Sequence, residues 1–242
     1  MADFNLPNQY LSHVAFTSSP DDWSDTTAER GYYRRGNFFI KRTLRPSEYI
    51  TTQKGTTYVP RLNRERLENE AESLRFIRRI SDIPVPIVYG AFEVDGAYFV
   101  VTEYIEGSSM SELEEGQKVI VQGELCQHLH TLRGIKSNKT GGPSGIVIPP
   151  SRVVECTDDE VWPQHTADSQ AYVFCHNDLS QPNIIVDPCT LKIKAIIDWE
   201  YAGFFPQFFE APFYKRLGPS SAIGDEVDDI PRLLRFLQTS KW

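Results

Sequence analysis

Two β-hairpins are predicted in the first hundred residues, because in each case two apolar-rich runs flank a dipeptide that forms tight turns. The turn dipeptides are Gly36-Asn37 and Asp95-Gly96. The strands predicted around them are Tyr32–Arg34, Phe38–Thr43, Phe92–Val94 and Ala97–Tyr104. This pattern indicates an antiparallel sheet, which follows a polar stretch over residues 1–29 that we expect to be irregular.

A helix is predicted over Leu62–Arg79, between the two hairpins. Its apolar residues recur every three or four positions, as one buried face of an α-helix requires. Glu70 falls on this apolar stripe, whereas Glu68 and Glu72 point away from it. Because a buried carboxylate needs a counter-charge, Glu70 is expected to have a cationic partner elsewhere in the fold.

The rest of the chain has the pattern of a mainly helical unit with a few short strands. A helix is predicted over residues 118–134, loops over the Gly- and Pro-rich residues 136–170, and a last helix over Ile230–Leu237. The short strands predicted between them are Tyr172–Cys175, Ile184–Val186 and Ile193–Ile197. The pattern changes at residues 105–110, so we divide the chain into lobes of residues 1–105 and 106–242.

Composition and charge exclude several classes of protein. The 242 residues carry a net charge of −8, which disfavours a nucleic-acid binder. Apolar runs are far shorter than the roughly 20 residues that span a bilayer, so no membrane association is expected. Residues 1–10 lack the features of a secretory signal, and the four cysteines show no metal-binding spacing. We therefore expect reduced thiols and a cytoplasmic protein.

The most specific segment is the run His176-Asn177-Asp178-Leu179-Ser180-Gln181-Pro182-Asn183, which lies between two predicted strands. A second acidic motif, Ile197-Asp198-Trp199-Glu200, follows at the end of another strand. Carboxylates and an amide in such loops suit magnesium-assisted phosphoryl transfer. One carboxylate can accept the proton of an acceptor hydroxyl, while other oxygen ligands hold the cations that neutralise phosphate charge.

These two motifs resemble the catalytic and metal-binding loops of the aminoglycoside phosphotransferase and choline kinase-like family. The resemblance covers roughly residues 30–215. It implies an α+β, two-lobed protein-kinase-like fold with a small antiparallel-sheet N-lobe and a mainly helical C-lobe, both shortened. It further implies that Asp178 is the catalytic base and that Asn183 and Asp198 are magnesium ligands. His176 would brace the catalytic loop through hydrogen bonds.

The family also pairs a strand lysine with a helix glutamate to hold the nucleotide phosphates. Lys41 lies in a predicted strand, where an unpaired ammonium is costly to bury. Lys41 and Glu70 are therefore predicted to form an ion pair that faces the cleft between the lobes. The alternative is that Lys41 extends to solvent and Glu70 sits at the rim.

The segment Val100–Gly107 resembles the connection between the lobes, where the backbone of Glu103 and Ile105 is expected to meet the adenine edge. Two features depart from the family pattern. No glycine-rich loop precedes Lys41, and few residues follow Asp198. Both departures leave open that the site binds its ligand without transferring phosphate.

The sequence thus favours an ATP- and Mg²⁺-dependent phosphotransferase that acts on a hydroxyl of a small molecule. Ser180 stands two residues after Asp178, where protein kinases typically carry a lysine, so a protein acceptor is disfavoured. The acidic net charge is compatible with a cationic acceptor. The alternative is a kinase-fold protein without phosphotransfer, such as a pseudokinase or a scaffold recruited for metabolite binding or another reaction.

Overall fold

The computed structural model describes residues 19–239, and their first half is built on one five-stranded antiparallel sheet. Its strands are β1 (Trp23–Thr26), β2 (Arg30–Arg35), β3 (Phe38–Thr43), β4 (Val88–Val94) and β5 (Ala97–Glu103), in the spatial order β1-β2-β3-β5-β4. Both predicted hairpins are confirmed. The irregular structure expected for residues 1–29 is wrong at β1, and residues 1–18 of that prediction lie outside the described residues.

Helix α1 (Asn63–Ile80) crosses one face of this sheet and confirms the predicted helix. Leu67 and Ala71 pack against Val100 of β5. One helical turn further on, Leu74 and Ile77 are buried against residues from the second half of the chain. The helix ends at Ser81, shortly before two prolines that cannot continue it. Helix α1 therefore packs against both halves of the molecule.

The second half contains three helices and two small antiparallel sheets within the described residues. The helices are α2 (Glu115–Gly134), α3 (Ser151–Val154) and α4 (Ile230–Gln238). One sheet contains β6 (Ser108–Ser109), β9 (Ile184–Val186) and β10 (Ile193–Ile196) in the order β10-β9-β6. The other contains β7 (Lys136–Ser137), β8 (Tyr172–Cys175) and β11 (Gly203–Phe205) in the order β11-β8-β7.

The predicted elements of this half are confirmed at α2, α4, β8, β9 and β10. The loops predicted over residues 136–170 hold two short elements, β7 and α3, which the pattern did not indicate. Strands β6 and β11 are also new. Each is two or three residues long and is held by pairing with a neighbouring strand, so no periodicity can show in so short a run.

The sheet with α1 and the second half enclose a cleft, and the largest hydrophobic cluster lies beneath it. This cluster joins Leu74 and Ile77 of α1 to Leu125 and Leu129 of α2 and to Phe174 of β8. A second cluster lies deeper in the second half. It packs Phe205 and Phe209 against α4 residues Leu233 and Phe236. The predicted boundary between residues 105 and 106 stays a prediction.

Among the described residues, no helix combines the length and apolarity needed to cross a membrane. The four cysteines are all free, and Cys175 is the buried one. The cytoplasmic location expected from reduced thiols stays a prediction.

Candidate active site

A cavity of about 400 Å³ opens in the cleft between the five-stranded sheet and the second half. Five of the site residues predicted from the sequence line it. Apolar side chains supply much of its remaining wall, including Phe39, Leu74 and Ile185. Apolar walls with a few polar groups are typical of a small-molecule pocket. The predicted residues on its lining are Lys41, Glu70, Glu103, Ile105 and Asp198.

Lys41 of β3 lines this cavity and joins three elements. Its Nζ is 2.8 Å from Glu70 Oε1 on α1 and 2.7 Å from Asp198 Oδ1 on the loop after β10. The predicted ion pair is thus present, and the alternative in which Lys41 extends to solvent is wrong, since Lys41 is only 9% exposed. Burial alone would lower the pKa of Lys41, but the carboxylates of Asp198 and Glu70 raise it well above its ordinary value.

Lys41 pairs with two carboxylates, and a third lies close to them. Carboxylate oxygens of Glu70, Asp198 and Glu200 lie within 4.8 Å of one another. Burial raises the pKa of Glu70 to about 7, even though Lys41 stabilises its charged form. A hard cation prefers such carboxylate and amide oxygens as ligands. The donor set around Asp198 therefore fits a magnesium ion.

The predicted catalytic loop follows β8 and is held by unusual backbone conformations. Asn177 adopts φ 69° and Asp198 adopts φ 66°, a left-handed region that asparagine and aspartate tolerate better than most residues. Asn183 turns back on the loop, and its Nδ2 donates to the main-chain oxygen of Asp178 at 2.8 Å and to Asp178 Oδ2 at 3.2 Å. The amide of Asn183 therefore fixes the orientation of the Asp178 carboxylate.

Asp178 lies in a strongly perturbed environment. Burial, followed by the negative charge of Asp198, raises the pKa of Asp178 to about 7. A carboxylate with such a pKa can exchange a proton near neutral pH, which suits a general base. A bound cation would reduce the repulsion between the carboxylates of Asp178 and Asp198.

His176 is fully buried beneath the loop. Its Nε2 lies 3.0 Å from the main-chain oxygen of Ile197, and its ring centroid lies 4.5 Å from that of Trp199. Burial lowers the pKa of His176, which favours the neutral imidazole. These contacts tie the loop before Asp178 to the loop that carries Asp198.

The predicted adenine-binding segment lines the same cavity. Glu103 and Ile105 both contribute to the lining. The backbone N–H of Glu103 donates to Ile87 O at 2.8 Å, and its side chain accepts from Ile87 N at 3.3 Å. The segment is thus anchored to the residue that precedes β4. Which of its backbone groups meet a ligand stays a prediction.

The sequence reasoning missed three charged residues that surround this site. Glu200 accepts from Arg66 of α1 at 2.5 Å through Oε1 and from Arg30 of β2 at 3.1 Å through Oε2. All three side chains are less than 10% exposed. Arg66 precedes Glu70 by one helical turn, so the same apolar stripe that singled out Glu70 also contains Arg66. No local signal connects Arg30 with Glu200, because 170 residues separate them.

Known proteins support this picture of the fold. Residues 151–211 match the family model described as "Phosphotransferase enzyme family". No curated protein sequence matches the chain significantly.

Solved structures with a similar fold are aminoglycoside phosphotransferases. A thermostable mutant of APH(4)-Ia in its apo form has a TM-score of 0.52 and 13% identity, over 81% of this chain and 72% of that one. The ternary complex of a thermostable APH(4)-Ia mutant with AMP-PNP and hygromycin B has a TM-score of 0.51 and 14% identity, over 79% of this chain and 70% of that one. Aminoglycoside-3'-phosphotransferase of type VIII has a TM-score of 0.51 and 18% identity, over 78% of this chain and 75% of that one.

At identities this low, the structural similarity shows the fold alone. The family match covers the segment that contains the predicted catalytic loop and the Asp198 loop. Both agree with the resemblance found in the sequence. The protein thus has the two-lobed, protein-kinase-like fold seen in aminoglycoside phosphotransferases, and its residues 151–211 are similar to the phosphotransferase enzyme family.

Proposed function

We propose that this protein is an ATP- and Mg²⁺-dependent phosphotransferase that moves the γ-phosphate to a hydroxyl of a small molecule. One observation carries the proposal. Lys41 joins Glu70 and Asp198 on the wall of a cavity that Phe39, Leu74 and Ile185 also line. This arrangement supports the proposal, because a buried cation can bind nucleotide phosphates and apolar side chains can stack on a base.

Each predicted residue has a role that follows from its position. Asp178 accepts the proton of the acceptor hydroxyl, and Asn183 holds its carboxylate in place. Lys41 aligns the phosphates, and Glu70 holds Lys41 in the cleft. The backbone of Glu103 and Ile105 meets the adenine edge. His176 braces the catalytic loop.

Asn183 and Asp198 would hold magnesium, which would neutralise the charge on the phosphates during transfer. Their donor atoms are an amide oxygen and a carboxylate, both of the hard type that magnesium prefers.

We propose a small hydroxyl compound as the acceptor, and the excess of acidic residues favours a cationic one. Hygromycin B is bound in one structure of similar fold. Protein kinases typically carry a lysine two residues after the base, and Ser180 occupies that position here.

The activity is tested by measuring ADP release from ATP with Mg²⁺ and a panel of aminoglycosides and amino alcohols. Asp178→Ala is expected to lower kcat by orders of magnitude while nucleotide binding is kept, because the base acts on the transition state. Release should also fall as the pH drops below about 7, where the Asp178 carboxylate becomes protonated. Activity that survives Asp178→Ala would contradict the assignment of the base.

A second function is a kinase-fold protein that binds a nucleotide without transferring phosphate. The observation in its favour is the turn between β1 and β2, residues 27–29, which contains no glycine. Glycine-rich turns let backbone N–H groups cover the phosphates. A rise in melting temperature with ATP and Mg²⁺ but no ADP release would favour this function. No rise at millimolar nucleotide would exclude both, because binding to the native state must stabilise it.

A further inference from the structure

A buried set of charges crosses the cleft beside the proposed magnesium ligand. Glu200, two residues after Asp198, accepts from Arg66 and Arg30 through its two carboxylate oxygens. Arg66 also pairs with Glu29, at 2.7 Å, in the turn between β1 and β2. We call Arg30, Arg66 and Glu200 the interlobe bridge.

The interlobe bridge connects the Asp198 loop to two elements of the N-lobe at once. Arg30 begins β2, directly after the turn at residues 27–29, and Arg66 lies in the first turns of α1. Asn69 adds a main-chain contact, since its Nδ2 donates to the backbone oxygens of Glu200 and Ala202 at 3.1 and 2.8 Å. Both the side chain and the backbone of this loop are therefore held by α1.

Glu200 has a different environment from the other two carboxylates near Lys41. Each of its oxygens already accepts from a buried guanidinium, whereas Asp198 is 31% exposed and faces the cavity. The charge of Glu200 is thus neutralised by two buried guanidinium groups, so Glu200 attracts a metal ion less strongly than Asp198 does.

We propose that the interlobe bridge is a positioning device that holds the Asp198 loop in its working orientation, and that Glu200 is not itself a metal ligand. The inference rests on the proposed function for the role of Asp198. The same bridge contacts the turn at residues 27–29, since Arg66 pairs with Glu29 and Arg30 directly follows the turn. The turn is thereby held by side-chain ion pairs, where other kinase-like sites use glycine-rich backbone.

The position of the loop can be measured without any activity, because Trp199 lies between Asp198 and Glu200. Trp199 is fully buried, and its Nε1 donates to the backbone oxygen of Ile196 at 2.8 Å. Full-length protein labelled with 5-fluorotryptophan gives a ¹⁹F NMR resonance for this residue, which Trp199→Phe assigns. Spectra are recorded with EDTA, so that no metal contributes to the loop position.

The variants are Glu200→Gln, Arg66→Met and the double variant with both changes. The double variant removes one positive and one negative charge, so it keeps the net charge of the bridge and serves as a folded reference if either single variant is unstable. Arg64→Met is the matched control, since Arg64 lies on the same helix but is half exposed and pairs with Glu68 at the surface. We expect the Trp199 resonance to shift or broaden in the three bridge variants and to stay unchanged in Arg64→Met.

ADP release then tests the catalytic consequence. Each bridge variant is expected to lose about 10- to 100-fold in kcat, with a much smaller change in the KM for ATP, as when a group that orients a metal ligand is removed. The double variant should lose no more than either single variant, because both changes break the same bridge.

Three results would overturn the inference. An unchanged Trp199 resonance in every bridge variant would mean that the bridge does not position the loop. Additive losses in the double variant would mean that Arg66 and Glu200 act separately. If Glu200→Gln raises the Mg²⁺ requirement and Arg66→Met does not, Glu200 is a metal ligand. If the wild type releases no ADP, the proposed function fails, and the ¹⁹F spectra alone decide whether the bridge positions the loop.

Discussion

At the scale of single residues, the feature that organises the candidate site is the imbalance of charge around Lys41. One ammonium group pairs with two carboxylates, Glu70 and Asp198, whereas the charge of the nearby Glu200 is neutralised by Arg66 and Arg30. Removing the cation and removing one of the anions are therefore not equivalent changes. The first leaves buried carboxylates without a partner, and the second relieves repulsion among them.

Lys41→Met is accordingly expected to destabilise the protein more than Glu70→Gln. The loss for Lys41→Met should be about 3–5 kcal/mol, the range found when one partner of a buried ion pair is removed. Glu70→Gln should lose much less, because Lys41 keeps Asp198 and because burial already raises the pKa of Glu70 to about 7. Urea unfolding at pH 7 measures both free energies. Equal losses would show that Lys41 and Glu70 act as a simple isolated pair.

The raised pKa of Asp178 predicts how the stability of the protein depends on pH. This pKa is raised from 3.8 to about 7 by burial and by Asp198, so between those values the folded state keeps a proton that the unfolded chain releases. By linkage, stability falls as the pH rises through this window. Asp178→Asn removes this fall and should stabilise the protein more at pH 8 than at pH 5.

Melting temperatures in EDTA measure this difference between the two pH values. Asp187→Asn is a suitable control, because Asp187 is exposed and its pKa is lowered by backbone hydrogen bonds from Thr190 and Cys189. A gain for Asp178→Asn that is the same at both pH values would contradict the raised pKa.

At the scale of elements, we expect a glycine-to-alanine substitution to have opposite effects on stability at Gly123 and at Gly107. Gly123 lies on the exposed side of α2 with open space around it, so Gly123→Ala should stabilise the helix by about 1 kcal/mol. Gly107 lies where the chain enters the second half. A Cβ atom there would stand 2.6 Å from the carbonyl oxygen of Val186, so Gly107→Ala should destabilise by about 1–3 kcal/mol. Chemical denaturation of both variants checks the two signs.

Helix α4 is connected to the catalytic loop through one buried arginine. Arg152 donates to both carboxylate oxygens of Asp229, at 2.9 and 2.8 Å, and to the backbone oxygens of Asn177 and Phe209. Asp229→Asn is expected to destabilise the protein by about 1–3 kcal/mol, because the buried Arg152 guanidinium would lose the carboxylate to which it donates. Faster amide exchange should follow in residues 176–178.

Glu226→Gln is the control for this variant, because the Arg216–Glu226 pair lies in the same part of the chain but is more exposed. It should leave exchange at residues 176–178 unchanged. If both variants speed exchange equally, the effect is one of general charge and not of the Arg152 contacts.

Elements that form from local signals were predictable, and elements that depend on distant partners were not. The signals for the hairpin turns and for the apolar stripe of α1 lie within short, continuous segments of the sequence. Strand β1 lies at the sheet edge with every residue exposed, so it has no alternation between buried and exposed positions. Strands β6, β7 and β11 are two or three residues long, which is too short for an alternating pattern to repeat.

The same distinction applies to the site. Asp178, Asn183 and Asp198 stand in two short motifs, and Glu70 was found because it interrupts an apolar stripe. Arg66 lies on that stripe too and could have been found by the same reasoning. Glu200 is part of a motif, but its partnership with Arg30 depends on the tertiary fold.

At the scale of the whole molecule, the contacts between the two halves are extensive and buried. Leu74 and Ile77 of α1 belong to the same hydrophobic cluster as Phe174 and Trp199 from the second half. The ion pairs of Lys41 with Asp198, and of Arg30 and Arg66 with Glu200, also cross between the halves. Few of these groups would find another partner if the halves separated.

Residues 1–105 expressed alone are therefore expected not to fold cooperatively. Without the second half, Leu74 and Ile77 would be exposed on α1, and Lys41 would lose Asp198 as a counter-charge. Circular dichroism during heating should show no sharp transition for this fragment. The full chain should show a single calorimetric transition whose enthalpy equals the van't Hoff value. A cooperative transition in the fragment would instead show that the predicted boundary at residues 105–106 separates two independent folding units.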